Sequence, residues 1–353
     1  RIRRHGERGM ILPDFLMEKT IGQLKTARTQ DPKDWSIVKS LTSRGAEYGS
    51  FDAEAVRIAT EQIGPAMDRQ IAVLEALAPR AKPEAGVWAR PDGEAYYNWA
   101  LGAGTTTNMS PDEVHLMGLD ELAKLHAEMD PILRDLGYTE GGVGQRMTQL
   151  AEDPRYQFAP GDKGRAEIMA FIKDRIAWIK GEMPRAFNTL VDPNLEVRRL
   201  PLAEEPGAPG AYGGAGSKDG TIPGRMWINL RTTDLHRKYD LADLTYHETI
   251  PGHVWEGEYS NRLPLIRSIL AFNPFSEGWA LYGEQLADEL GAYDDFTVGR
   301  LGYLQSLAFR ACRMVVDTGL HAKGWSRQRA VNFFVERNGS KPQEVASEVD
   351  RYC

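Results

Sequence analysis

Apolar residues recur along most of the chain at the three-and-four spacing of helices with one buried face. From Phe51 to Ala81 an alanine-rich stretch places Val56, Ile63, Met67, Ile71, Leu74 and Leu77 on that rhythm. A second helix is signalled by Ser110-Pro111-Asp112-Glu113. Ser110 can cap the first turn, Pro111 suits the first helical position, and Glu113 can reach back to close a capping box. Val114, Met117, Leu122, Leu125 and Met129 then form an apolar face, and Gly137 supplies a stop. The stretch from Ile168 to Phe187 repeats the pattern with Ile172, Ile176 and Ile179. From Leu241 the helical rhythm resumes and runs almost to the end.

The rhythm breaks between Pro193 and Gly224, where five Pro and seven Gly leave no helical period. This segment, 193–224, reads as a Gly/Pro-rich loop, and Met226-Trp227-Ile228-Asn229-Leu230 after it reads as a short strand. The expectation is a mainly α protein with one short strand or small sheet near a cleft. One helical domain spans 1–353, and its segment 241–353 carries the chemistry described below. Two glycine clusters are set aside. Gly102-Ala103-Gly104 lacks the third glycine of a dinucleotide fingerprint, and Gly213-Gly214-Ala215-Gly216-Ser217-Lys218 lacks the Gly-Lys-Ser/Thr order of a phosphate loop.

Composition narrows the function. Against 43 Lys and Arg stand 50 Asp and Glu, a net charge of −7, so the basic stripe needed to hold a nucleic-acid backbone is not expected. Cys312 and Cys353 are the only cysteines, which excludes a disulfide framework or a cysteine-rich zinc knuckle. No apolar run reaches the roughly 18 residues of a membrane span. The opening Arg1-Ile2-Arg3-Arg4 has neither an initiator Met nor an apolar leader core and reads like the interior of a longer chain, so compartment stays open between periplasmic or exported and cytoplasmic.

The candidate chemistry lies in Tyr246-His247-Glu248-Thr249-Ile250-Pro251-Gly252-His253. Zinc hydrolases use two imidazoles to hold the ion and a neighbouring Glu to take a proton from water. The strict motif spaces its histidines four apart, on one helix face. Here the offset is six, about 240° around an ideal helix, which would put His247 and His253 on different faces. Pro251-Gly252 offers the remedy, because Pro removes a ladder hydrogen bond and Gly tolerates unusual backbone angles. Glu277, at the start of another expected helix whose small Gly278 and Ala280 let it approach closely, is the candidate third ligand. Glu284, two turns on, is placed to orient a ligating histidine. His321 and Tyr352 are candidates to steady an oxyanion, and Arg351 to hold a substrate carboxylate. Arg310 and Arg313, near Asp317, read as an internal ion-pair network, and His115, His126 and His236 as structural or surface residues.

Taken singly these features have plain alternatives: Glu277 as a helix N-terminal carboxylate, His321 as a satisfied histidine, Arg351 and Tyr352 as a fraying terminus. Several blocks nevertheless resemble the domain-of-unknown-function 885 family, bacterial proteins regarded as gluzincin-like metallopeptidases. They are Tyr96-Tyr97, Thr105-Thr106-Thr107, Ser110-Pro111-Asp112-Glu113 with Gly118-Leu119, the His247 to His253 block, and Glu277-Gly278-Trp279-Ala280-Leu281-Tyr282-Gly283-Glu284. Arg310-Ala311-Cys312-Arg313, Val316-Asp317-Thr318-Gly319-Leu320-His321, Gly324-Trp325-Ser326 and Arg351-Tyr352 complete the set. The resemblance implies a zincin-like, gluzincin-type helical fold, with His247, His253 and Glu277 binding one zinc ion and Glu248 as general base. Two departures stand out. Val254 and Glu256 occupy positions where the family usually has His and Gln. The family also continues past Arg351-Tyr352 and has a long N-terminal helical region, which implies that this chain is a fragment.

The expectation is therefore a zinc-dependent peptidase on small peptides, with Met226–Leu230, Asn229 included, pairing with an extended substrate as an added strand. Two other readings stand beside it: a non-catalytic binding protein with a degenerate metal site, and a metal-dependent amide or ester hydrolase of non-peptide substrates.

Overall fold

A computed structural model describes all residues except 46, 47, 192, 193, 203, 206, 207 and 271. The chain divides into two compact units, each described by itself. Arg1–Trp99, Asp317–Val331 and Ala346–Cys353 form the first, and Ala100–Val316 with Asn332–Val345 the second.

The first unit contains α1 (Ile2–Glu7), α2 (Asp14–Thr29), α3 (Ser36–Arg44), α4 (Asp52–Ile58), α5 (Gly64–Leu77) and the start of α6 (Gly93–Thr105). The apolar rhythm from Phe51 to Ala81 becomes α4 and α5 joined through a wider π turn at Ala59–Ile63. Trp35, Val38, Ala55 and Ala59 form the core there, with Val56, Ile63 and Met67 packed against it.

The second unit opens on α7 (Pro111–Asp135) and α8 (Val143–Glu152). The capping box forms as read from sequence. Glu113 N–H donates to Ser110 Oγ at 3.3 Å, and Ser110 N–H donates to Glu113 Oε2 at 2.8 Å. Gly137, with φ of 92°, follows the helix end. Ser110→Ala is expected to lower stability by about 1 kcal/mol, the usual worth of such a cap, measured by denaturant melts. One position departs from expectation. Met117 is 42% exposed, because Val114, Leu122, Leu125, Met129 and Leu133 bury an arc of the helix that Met117 falls outside.

Next come α9 (Gly161–Ala186), β1 (Leu195–Arg199), β2 (Ala211–Gly214) and β3 (Gly224–Ile228). Two strands therefore lie inside the segment read as a loop, whose positions 193, 203, 206 and 207 are outside the described residues. The sheet order is β1-β3-β2, with β3 parallel to β1 and antiparallel to β2. Phe158, Ile168, Ile172, Ala211, Met226, Ile228, Leu230 and Leu241 make one buried cluster, which fastens α9 and the sheet to the following helix. That helix is α10 (Lys238–Glu248), followed by α11 (His253–Asn261), α12 (Leu265–Ile269) and α13 (Asn273–Glu289). Residues of α14 (Thr297–Ala322), α15 (Arg327–Asn338) and α16 (Pro342–Tyr352) contribute to both units.

Candidate metal centre

The histidine block is not one helix. α10 ends at Glu248, Thr249 to Gly252 leave helical geometry, and His253 begins α11. The Ile250–Pro251 peptide is cis. Hydrogen bonds bind the reversal tightly: Gly252 N–H to the Tyr246 carbonyl at 3.0 Å, Trp255 N–H to the Thr249 carbonyl at 3.1 Å, and Thr249 Oγ1 to the Thr245 carbonyl at 2.6 Å. Trp279 of α13 secures it from outside through Nε1–H to the Pro251 carbonyl at 2.8 Å. The break cancels the six-residue offset. The two imidazoles come together with centroids 4.8 Å apart and planes at 88°.

Glu277 joins them from the first turns of α13. Its Oε2 lies 3.7 Å from His247 Nε2 and its Oε1 3.8 Å from His253 Nε2. Ligand atoms of all three residues fall within 4.8 Å of one another. A tetrahedral ion with bonds of 2.0–2.2 Å separates its ligand atoms by about 3.4 Å, so the group is close to the size such an ion requires. The donor chemistry fits as well. His247 Nδ1–H donates to Glu284 Oε1 at 2.6 Å, which makes Nε2 the acceptor nitrogen, the tautomer a metal ligand needs. His253 Nδ1 has Ser276 Oγ at 3.4 Å. Burial holds both imidazoles below the ordinary histidine range, and His247 adds to this at His253; both are thus neutral and able to ligate near pH 7.

Glu284 is fully buried, and burial pushes its carboxyl up to about 8. Asp243, one helical turn before His247, is raised well above its ordinary range by burial and then by the charge of Glu284. Glu284 Oε2 and Asp243 Oδ1 are both buried without a donor. Burial thus favours the protonated form of both carboxyls. Asp243 was not singled out in the sequence. Its position four residues before His247, among the apolar Leu241, Ala242 and Leu244, was the available signal.

Glu248 is buried at the end of α10, and its Oε2 accepts the Gly213 N–H of β2 at 2.6 Å. Gly213 tolerates this approach only as glycine, since a Cβ there would lie 2.0 Å from the Glu248 carbonyl oxygen. Burial raises the Glu248 carboxyl, opposed first by His247 and then by the Gly213 bond. Arg310 of α14 completes the surroundings, with Nη1 3.4 Å from Glu277 Oε2 and Nη2 3.4 Å from His247 Nε2. Its partner is thus Glu277 at the candidate centre. The sequence reading placed Arg310 in a network near Asp317 and gave it no functional role.

His321, Arg351 and Tyr352 belong to the first unit. His321 Nδ1 accepts the Val87 N–H at 3.0 Å, and Nε2 donates to the Tyr352 carbonyl at 2.9 Å. Tyr352 OH donates to Glu348 Oε1 at 2.8 Å, and Arg351 reaches Glu348 Oε2 at 3.0 Å. Asn229, expected to meet substrate, has its side chain engaged within the protein. It is 2% exposed, and its Nδ2 donates to the carbonyls of Glu205, Ala208 and Pro209, so it holds a loop. The added-strand role of Met226–Leu230 is corrected for the same region, because β3 already has β1 and β2 on its two edges. His126 and His236 are structural, bonding the carbonyls of Arg337 and Asn229. Of the two family departures, Val254 is buried beside Gly224, while Glu256 Oε1 accepts the Ser260 hydroxyl at 2.7 Å.

These features define a mainly helical protein with a His/His/Glu group able to hold a metal ion at a helix break. The whole chain, residues 1–353, matches the family described as "Bacterial protein of unknown function (DUF885)", and it belongs to that family. It is similar to the crystal structure of a putative lipoprotein from Colwellia psychrerythraea, with 34% identity, a TM-score of 0.90, and coverage of 99% of this chain and 62% of the other. A putative lipoprotein of unknown function from Shewanella oneidensis shares the fold at 21% identity and a TM-score of 0.68, with coverage of 94% and 63%. The chain thus spans less than two thirds of the length of these relatives. No curated protein matches it. Among the described residues, no helix is long and apolar enough to cross a membrane.

Proposed function

We propose that this chain is a zinc-dependent hydrolase acting on small peptides. The observation that carries the reading is the convergence of His247, His253 and Glu277, one ligand atom of each within 4.8 Å of the others, with Glu248 next to His247 in the chain. Three protein ligands leave one coordination position open, the arrangement of catalytic rather than structural zinc sites. When bound, the ion supplies Lewis-acid polarisation of the scissile carbonyl and makes water easier to deprotonate. Glu248 takes the proton of the attacking water and delivers it to the leaving nitrogen. The Gly213 N–H fixes Oε2 of that carboxylate, so the proton travels on Oε1. Glu284 holds His247 in the tautomer that presents Nε2. The lipoprotein description of the Colwellia relative supports work outside the cytoplasm.

Elemental analysis of protein purified without chelators tests the reading. About one zinc per chain is expected, falling sharply in Glu277→Ala, followed by cleavage of a peptide library by the zinc-loaded protein. Protein that holds no metal and takes none up from added zinc overturns it, in favour of a non-catalytic binding role.

A further inference from the structure

A carbonyl attacked by water places a negative charge on its oxygen, and hydrolases meet that charge with a fixed donor. Neither first-unit candidate has its functional group spare for this. Both ring nitrogens of His321 are engaged, by Val87 N–H and the Tyr352 carbonyl, and the Tyr352 hydroxyl donates to Glu348. Within the second unit, a different group stands at the ligand atoms themselves. The two terminal nitrogens of Arg310 lie 3.4 Å from Glu277 Oε2 and His247 Nε2, and the side chain is 27% exposed, so solvent and substrate reach it.

We propose that Arg310 is the oxyanion-binding residue of this site, donating to the negative oxygen that develops on the substrate carbonyl. This inference rests on the hydrolase reading above. Contacts of 3.4 Å are longer than the 2.7–2.9 Å of a strong charge-assisted bond, so the guanidinium is held near the centre without its five donors being consumed. A guanidinium fixed by longer contacts stabilises a negative oxygen far more than a neutral carbonyl, which is the condition for accelerating the chemical step. In that step the water oxygen bonds to the carbonyl carbon, its proton passes to Glu248, and the carbonyl π pair moves to the oxygen facing Arg310. Collapse restores the carbonyl and breaks the carbon–nitrogen bond, while Glu248 returns the proton to the leaving nitrogen.

The test uses cobalt-substituted protein, whose visible spectrum reports anion binding at the metal, with inorganic phosphate as the probe. Arg310→Gln is expected to retain one metal per chain, weaken phosphate at least tenfold, and lower kcat about 100-fold on a cleaved library peptide with little change in KM. Millimolar guanidinium added to Arg310→Ala is expected to restore part of both signals, which a purely structural role would not allow. Unchanged phosphate affinity in metal-loaded Arg310→Gln overturns the assignment alone. Loss of metal in that variant also overturns it, by making Arg310 a support for Glu277. A wild type that takes up no cobalt sinks the hydrolase reading, and this proposal with it.

Discussion

Glu248→Gln is expected to keep its full complement of metal and to lose turnover on the order of 10³-fold. The substitution preserves shape. A glutamine carbonyl oxygen can accept the Gly213 N–H that Oε2 accepts now, so the end of α10 and the neighbouring His247 stay in place. What disappears is the ability to take a proton from water and return it to the leaving nitrogen. The measurement is metal content and turnover on the same preparation, using a peptide found in the library digest. Turnover near the wild-type rate with metal retained would reject Glu248 as the base. Stability of the metal-free protein gives a second readout. Burial raises the Glu248 carboxyl, so the fold favours its protonated form, and that contribution is lost as pH rises through the raised value. Above that value the ionised side chain is a burden on the chelated protein, and there Glu248→Gln is expected to melt no lower than wild type.

Much of this site was legible because its chemistry is written locally. His247-Glu248 and His253 lie within seven residues, and Pro251-Gly252 between them marks where a helix must end. Glu277 and Glu284 are two turns apart, so a single helix presents both to the same neighbour, one at each end of the His247 ring. The Ser110 capping box is equally local. What sequence did not reveal depends on elements distant in the chain. Arg310 gains its place because α14 is packed where its guanidinium meets Glu277, 33 positions earlier. Gly213 serves Glu248 across 35 positions, and nothing in a Gly-rich run distinguishes it from Gly214. β1 was missed because its alternation, Leu195-Glu196-Val197-Arg198, is only four residues long beside a Gly/Pro-rich run, and the Ala211-Tyr212-Gly213-Gly214 segment of β2 draws its order from pairing with β3. Of the two small residues beside Glu277, Ala280 is fully buried as close approach requires, but Gly278 is not. A Cβ on Gly278 would meet nothing within 4 Å, whereas one on Gly283 would lie 3.3 Å from the Pro251 and Gly252 backbone. The glycine that permits close approach lies about one and a half turns after Gly278.

Gly252→Ala is expected to damage the centre more than any other single methyl group placed near it. The chain reverses so tightly between α10 and α11 that a Cβ at 252 would stand 1.8 Å from the His247 carbonyl oxygen and 2.5 Å from both the His247 carbonyl carbon and the Tyr246 oxygen. Those atoms are backbone, held by the Gly252 N–H to Tyr246 bond and by Trp279 on Pro251, and cannot rotate away as a side chain would. Relief requires the turn to open, at about 3 kcal/mol by the usual scale of overpacking. The opening is felt where His253 starts α11, immediately after the turn, and ligating groups tolerate displacements of only about 0.5 Å before a metal site fails. The expected outcome is a lowered denaturation midpoint together with loss of most bound metal. Gly278→Ala is the matched control. It adds the same methyl beside Glu277, in open space on an exposed helical position, and should raise stability by about 0.5–1 kcal/mol with metal retained. Equal metal content in the two variants would mean that the reversal at Pro251-Gly252 does not set the approach of the two histidines, and the geometric basis of the centre would have to be sought elsewhere.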